Sequence, residues 1–125
     1  MPHLELQKLE VYILARELSS IGWAIYEKLK WQERKVIGDQ FVESTDSVGA
    51  NIAEGYGRYH YLDRIKFFYN ARGSLLESRH WVELLDERKL LVKNDTSEKY
   101  FQIYDLLLLK LNSWISAVYK VKSKG

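Results

Sequence analysis

Apolar positions recur along four stretches of the chain with the three-and-four spacing of a helix that buries one face. Leu14, Leu18, Ile21, Ile25 and Leu29 predict a first helix over about residues 5–30. Ile37, Phe41, Val48 and Ile52, with Thr45 in the gap, predict a second over about 33–56. Gly55 and Gly57 then read as its stop, because glycine tolerates the left-handed backbone that ends many helices. Leu62, Ile65, Phe68, Tyr69, Leu75, Leu76, Val82 and Leu85 predict a third helix over about 62–88. Tyr100, Ile103, Leu107, Leu111, Trp114 and Val118 predict a fourth over about 96–121. Asp95 or Thr96 is placed to cap that helix, and Glu98 lies three residues after Asp95, as a capping box requires.

Helices of about 25 residues are ~38 Å long, and short connections between them force antiparallel neighbours. The expected fold is therefore all-α, an antiparallel up-down-up-down four-helix bundle with residues 1–125 as a single domain. Leu18, Val48, Phe68 and Leu107 should lie in its core. This topology brings the N-terminus, the turn after the second helix and the C-terminus to one end.

Composition agrees with long helices. The chain has one proline, at position 2, and an internal proline would interrupt the hydrogen-bond ladder. It has no cysteine, which excludes disulfides and thiolate chemistry. No basic-then-apolar leader opens the sequence, and the run Leu106–Leu109 is far short of the ~20 apolar residues needed to cross a bilayer, so the cytoplasm and no membrane association are expected. Net charge is only +2, but after Asp105 every charged residue is a lysine: Lys110, Lys120, Lys122 and Lys124.

Candidate chemistry is sparse. The histidines, His3, His60 and His80, lie on separate segments without the i, i+4 spacing of a helical metal site. Glu77 and His80 form one Glu-x-x-His spacing, whereas a di-iron bundle needs two. Gly55-Tyr56-Gly57 lacks the preceding strand and the Gly-Lys-Ser/Thr of a phosphate loop. No metal, no cofactor and no enzymatic activity are expected.

The end that gathers His3, Arg58, Tyr59, His60, Tyr61, Arg64, Lys120, Lys122 and Lys124 is more suggestive. Cations interleaved with aromatic rings suit single-stranded nucleic acid, whose bases stack while its phosphates meet charge. The plainer alternative is a subunit contact at the turn and a solubilising lysine tail. Inside the helical pattern, Asn51, Glu54, Arg72, Ser74, Glu77 and Arg79 are polar, and antiparallel pairing predicts Glu54 near Arg64 and Asp46 near Arg72. Such pairs read first as a structural network fixing helix register, and second as a ligand or RNA contact site. Gly49, Ala50 and Ala53 with Ala71, Gly73 and Ser74 predict close backbone approach of the second and third helices. Gly73 costs about 1 kcal/mol against alanine inside a helix, so a compensating contact is expected there.

The run Ser47-Val48-Gly49-Ala50-Asn51-Ile52-Ala53-Glu54-Gly55-Tyr56-Gly57-Arg58, with Ala71-Arg72-Gly73-Ser74-Leu75-Leu76-Glu77, resembles the signature of the 23S rRNA intervening sequence protein family. The likeness extends over essentially the whole chain. It departs where Val42, Glu43 and Gly49 stand, positions at which many relatives carry bases and a proline. The resemblance implies a four-helix bundle without established enzymatic activity, a ring-like homopentamer and an RNA-linked role. It also implies a fold shared with the accessory variability determinants of diversity-generating retroelements, which bind RNA and a reverse transcriptase through basic surfaces. Its motif residues here are Asn51, Glu54, Arg58, Arg72, Ser74 and Glu77. The expected partners are copies of the chain and RNA or a nucleic-acid-processing protein. The alternative is a protein–protein scaffold that binds no nucleic acid, with Trp23, Trp81 and Trp114 as candidate anchors.

Overall fold

The computed structural model describes residue 6 and residues 8–124, with side chains as far as Tyr119. Four helices account for nearly all of it, and the described residues contain no strand. Helix α1 is Glu10–Glu27; it starts five residues later than expected because Leu9 is extended, with ψ at 121°. Helix α2 is continuous through Trp31–Glu33, a π-helical turn at Arg34–Gly38, and Asp39–Gly57. Helix α3 is Tyr61–Glu87 and α4 is Asp95–Lys124.

Contacts between the helices reveal their directions. Ala15 faces Gly49, Gly22 faces Thr45, and Tyr26 donates to Asp39 at 2.7 Å, so numbers fall along α2 as they rise along α1. Phe68 meets Trp114, Arg72 meets Asn112 and Arg79 meets Asp105, the same sense between α3 and α4. Glu10 with Lys110 and Glu17 with Lys99 repeat it between α1 and α4. Each helix thus packs against two others, α1 and α3 both lying between α2 and α4.

The expected stripes form the core. Leu18, Val48, Phe68 and Leu107 are fully buried, together with Phe41, Leu75, Tyr100 and Leu111. Burial of each such side chain contributes roughly 1.5–3 kcal/mol. A polar contact crosses this core: Thr45 Oγ1 and the Tyr100 hydroxyl lie 2.9 Å apart, joining α2 to α4. Burial pushes the Tyr100 phenol up to about 12, against the pull of hydrogen bonds from Ser78 and Thr45.

Three expectations change here. Leu62, Tyr69 and Leu76 do not join the core; they are exposed on the outside of α3. Neither Gly55 nor Gly57 ends α2 through a left-handed backbone, since both are helical with negative φ and the helix stops at the extended Arg58. The cap of α4 is Asn94, whose side chain accepts from the Ser97 amide at 3.1 Å while Ser97 Oγ accepts from the Asn94 amide at 3.0 Å. Asx and hydroxyl side chains compete for that role over several consecutive positions, and the winner is one residue before the expected pair.

The chain's one described non-glycine residue at positive φ is Lys89, at 60°. It closes α3: Leu90 N–H reaches Leu85 O at 2.8 Å and Lys89 N–H reaches Asp86 O at 3.0 Å, the paired bonds that satisfy a helix C-terminus.

Candidate nucleic-acid interface

Arg58, Tyr59 and His60 form the corner between α2 and α3, with Arg58 and His60 both extended. These three residues turn the chain from α2 into the antiparallel α3, and all three are exposed. The Arg58 guanidinium pairs with Glu54 at 3.2 Å and lies 4.9 Å from the Phe67 ring centroid. Both members of that ion pair are about half exposed, so it contributes about 1 kcal/mol or less and leaves the charge open to solvent. Tyr59 is 92% exposed, with His60 set edge-on to its ring at 5.4 Å.

Tyr61 begins α3 half-buried. Burial raises its phenol above the ordinary value, and the nearby Tyr119 and Tyr69 phenols push the same way. Tyr119 belongs to the end of α4, so this corner and the end of α4 do meet. Arg64 is half-buried one turn further on, its amide bonded to His60 O at 3.1 Å. Lys120, Lys122 and Lys124 follow Tyr119 in sequence, but their side chains, and His3, lie outside the described residues.

Several of the motif residues bond along their own helix or toward α4. Asn51 donates to Ser47 O on its own helix at 2.9 Å, and Glu77 accepts from the Trp81 indole at 3.0 Å. Glu54 pairs with Arg58, and Ser74 is half-buried on α3. Arg72 donates to Asn112 on α4 at 3.1 Å in place of the expected contact with Asp46. The reason is azimuth: Arg72 and Arg79, seven residues apart, occupy the flank of α3 that faces α4. Trp81 and Trp114 pack partly into the core, whereas Trp23 is exposed.

Sequence reasoning undervalued Arg79. Its guanidinium contacts Glu83 at 3.1 Å and Asp105 at 3.5 Å and sits 4.8 and 5.1 Å from the Phe101 and Tyr104 ring centroids. The seven-residue spacing from Arg72 was the available signal. Among the described residues, no three His, Asp or Glu side chains come together as a metal-holding group, and no helix is long and apolar enough to cross a membrane.

Residues 7–113 match the family model described as 23S rRNA-intervening sequence protein. No curated protein matches the chain. Among solved structures it is similar to a protein of unknown function from the S23 ribosomal protein family of Bacteroides thetaiotaomicron VPI-5482. That pair is 23% identical, with a TM-score of 0.76 over 85% of this chain and 95% of the other. At that identity the likeness concerns the fold.

Proposed function

This chain belongs to the 23S rRNA-intervening sequence protein family, and from that premise we propose that it is a non-catalytic homo-oligomer, a pentamer, that contacts single-stranded RNA. The contact surface is the corner made by Arg58, Tyr59, His60, Tyr61 and Arg64, continued by Lys120, Lys122 and Lys124. The observation that carries the reading is the Tyr59 ring, almost wholly in solvent and next in sequence to the half-exposed Arg58. A large ring held out in water has no folding role, yet it offers a stacking platform for a base.

Fluorescence anisotropy with a labelled single-stranded RNA oligonucleotide tests this. Tyr59→Ala should weaken binding about 5- to 150-fold, the loss of one stacked base. Arg58→Ala should weaken it less and lower the salt slope by about one, the release of one phosphate contact. No binding at low salt, or affinity unchanged in both variants, overturns the RNA reading and favours the protein scaffold. Light scattering tests the assembly separately, with five times the 14.8 kDa chain mass as the expected result.

A further inference from the structure

Helix α3 carries two apolar stripes, and the bundle uses only one. Ile65, Phe68, Leu75, Val82 and Leu85 are buried, but Leu62, Tyr69 and Leu76 are 65%, 40% and 51% exposed. Their seven-residue spacing is two turns, so they line one side of α3 over about 21 Å. Leu109 of α4, 62% exposed, lies along that helix between Asp105 and Asn112, the residues that Arg79 and Arg72 reach, and so extends the same surface.

Two further residues complete the stripe. Lys66 and Gly73 fall between the three apolar positions, in the series Leu62, Lys66, Tyr69, Gly73, Leu76. Lys66 is exposed and has no ion pair among the described residues. A Cβ at Gly73 would meet nothing within 4 Å, so the contact expected to offset its cost is absent from the chain itself. A bare glycine in the middle of a 27-residue helix, set in an exposed apolar stripe, leaves room for another backbone to approach.

Across the bundle, between α1 and α2, lies a groove of about 600 Å³. Its floor is Gly49, Ala50 and Ala53, its walls include Arg16 and Trp23, and Asp46 stands at its edge. Asp46 is exposed and likewise has no ion pair among the described residues. The stretch of α1 from Tyr12 to Trp23 gives this groove a length of about 17 Å. One face of the chain is thus a convex apolar strip with a spare cation; the opposite face is a shallow channel of small residues with a spare anion.

We propose that the Leu62–Leu76 strip of one copy seats in the α1/α2 groove of the next, with Lys66 directed to Asp46. This rests on the homo-oligomer reading and names the surfaces that make it. Because the two surfaces differ and lie on opposite sides, the contact is head-to-tail and repeats until the assembly closes. A second copy of this chain supplies an apolar strip of about the length of the groove and a cation for Asp46.

Light scattering on two variants tests it, with circular dichroism confirming that each stays folded. Gly73→Arg blocks the strip where the isolated chain has open space, and Ala50→Arg blocks the groove at an exposed position. Each alone should be monomeric. Mixed one to one, they should form a dimer and nothing larger, since each retains one intact surface and only one productive contact remains. A mixture that stays monomeric overturns the pairing of these surfaces. Wild-type assembly surviving in either variant also overturns it while leaving the oligomer reading intact. A wild-type chain that is monomeric at all concentrations removes the oligomer reading and this inference with it.

Discussion

Toward α2, helix α3 presents Phe67 and Phe68 to Gly55, so closely that a Cβ on the glycine would lie 2.5 Å from the Phe68 ring. Toward α4 it presents Arg72 and Arg79, whose long side chains bridge to Asn112 at 3.1 Å and Asp105 at 3.5 Å. The α2/α3 side is close backbone packing over a buried ring; the α3/α4 side is a looser seam held by polar arms and ring contacts. A tight side has no slack and fixes register through sterics. A bridged side tolerates change, because an exposed ion pair is weak and flexible arms adjust. The family motif spans both sides, so its residues act in different ways: Gly55 by having no side chain, Arg72 by having a long one.

The largest effect should come from filling the tight side. Gly55→Ala forces a fully buried Phe68, itself 4.0 Å in centroid distance from Trp114, to move, and should destabilise the chain by about 3 kcal/mol in denaturant unfolding. Next is the bond that ties α2 to α4 across the core. Tyr100→Phe leaves Thr45 Oγ1 buried without its 2.9 Å partner and should cost about 2 kcal/mol.

Tyr100 also predicts a pH dependence. The unfolded phenol ionises at its ordinary value of 10.0, while the folded one keeps its proton until about 12. The folded state therefore binds more protons in that window, so this contribution is complete below pH 10 and is lost as pH rises toward about 12. Thermal melts across that range should show a smaller alkaline loss in Tyr100→Phe than in wild type.

Smaller still is Gly73→Ala, which should stabilise the isolated chain by about 1 kcal/mol, because the new methyl meets open space and helix propensity improves. Arg79→Met should cost only about 0.5 kcal/mol, since its charges are partly solvated and the methionine keeps contact with Phe101 and Tyr104. A loss near that of Gly55→Ala would break the contrast between the two sides.

Periodicity made the helices and most of the core legible. Leu18, Val48, Phe68 and Leu107 each belong to a helical-period stripe, one on each helix, and all four are fully buried. It could not sort the two stripes of α3, since Leu62, Tyr69 and Leu76 keep helical spacing as well as Ile65 and Phe68 do. Which stripe faces inward depends on where α2 and α4 sit, and that is not local information. Gly55 shows the same limit. A glycine before a turn reads alike whether it frees the backbone or admits a neighbouring ring, and here it admits Phe68. At the candidate site, topology alone brought Tyr61 and the end of α4 together, but the laying of Arg58 over Phe67 follows from the packing angle at the corner.

How tightly α3 is closed by its own chain is tested most directly by comparing Gly55, on α2 against Phe68, with Gly73, on the open strip of α3, in the same single-chain background. Urea unfolding of Gly55→Ala and Gly73→Ala, both combined with Ala50→Arg to exclude assembly, gives the two stabilities side by side. The midpoint should fall for Gly55→Ala and rise for Gly73→Ala. Shifts of the same sign would contradict a helix that is closed against its own chain on one side and open on the other.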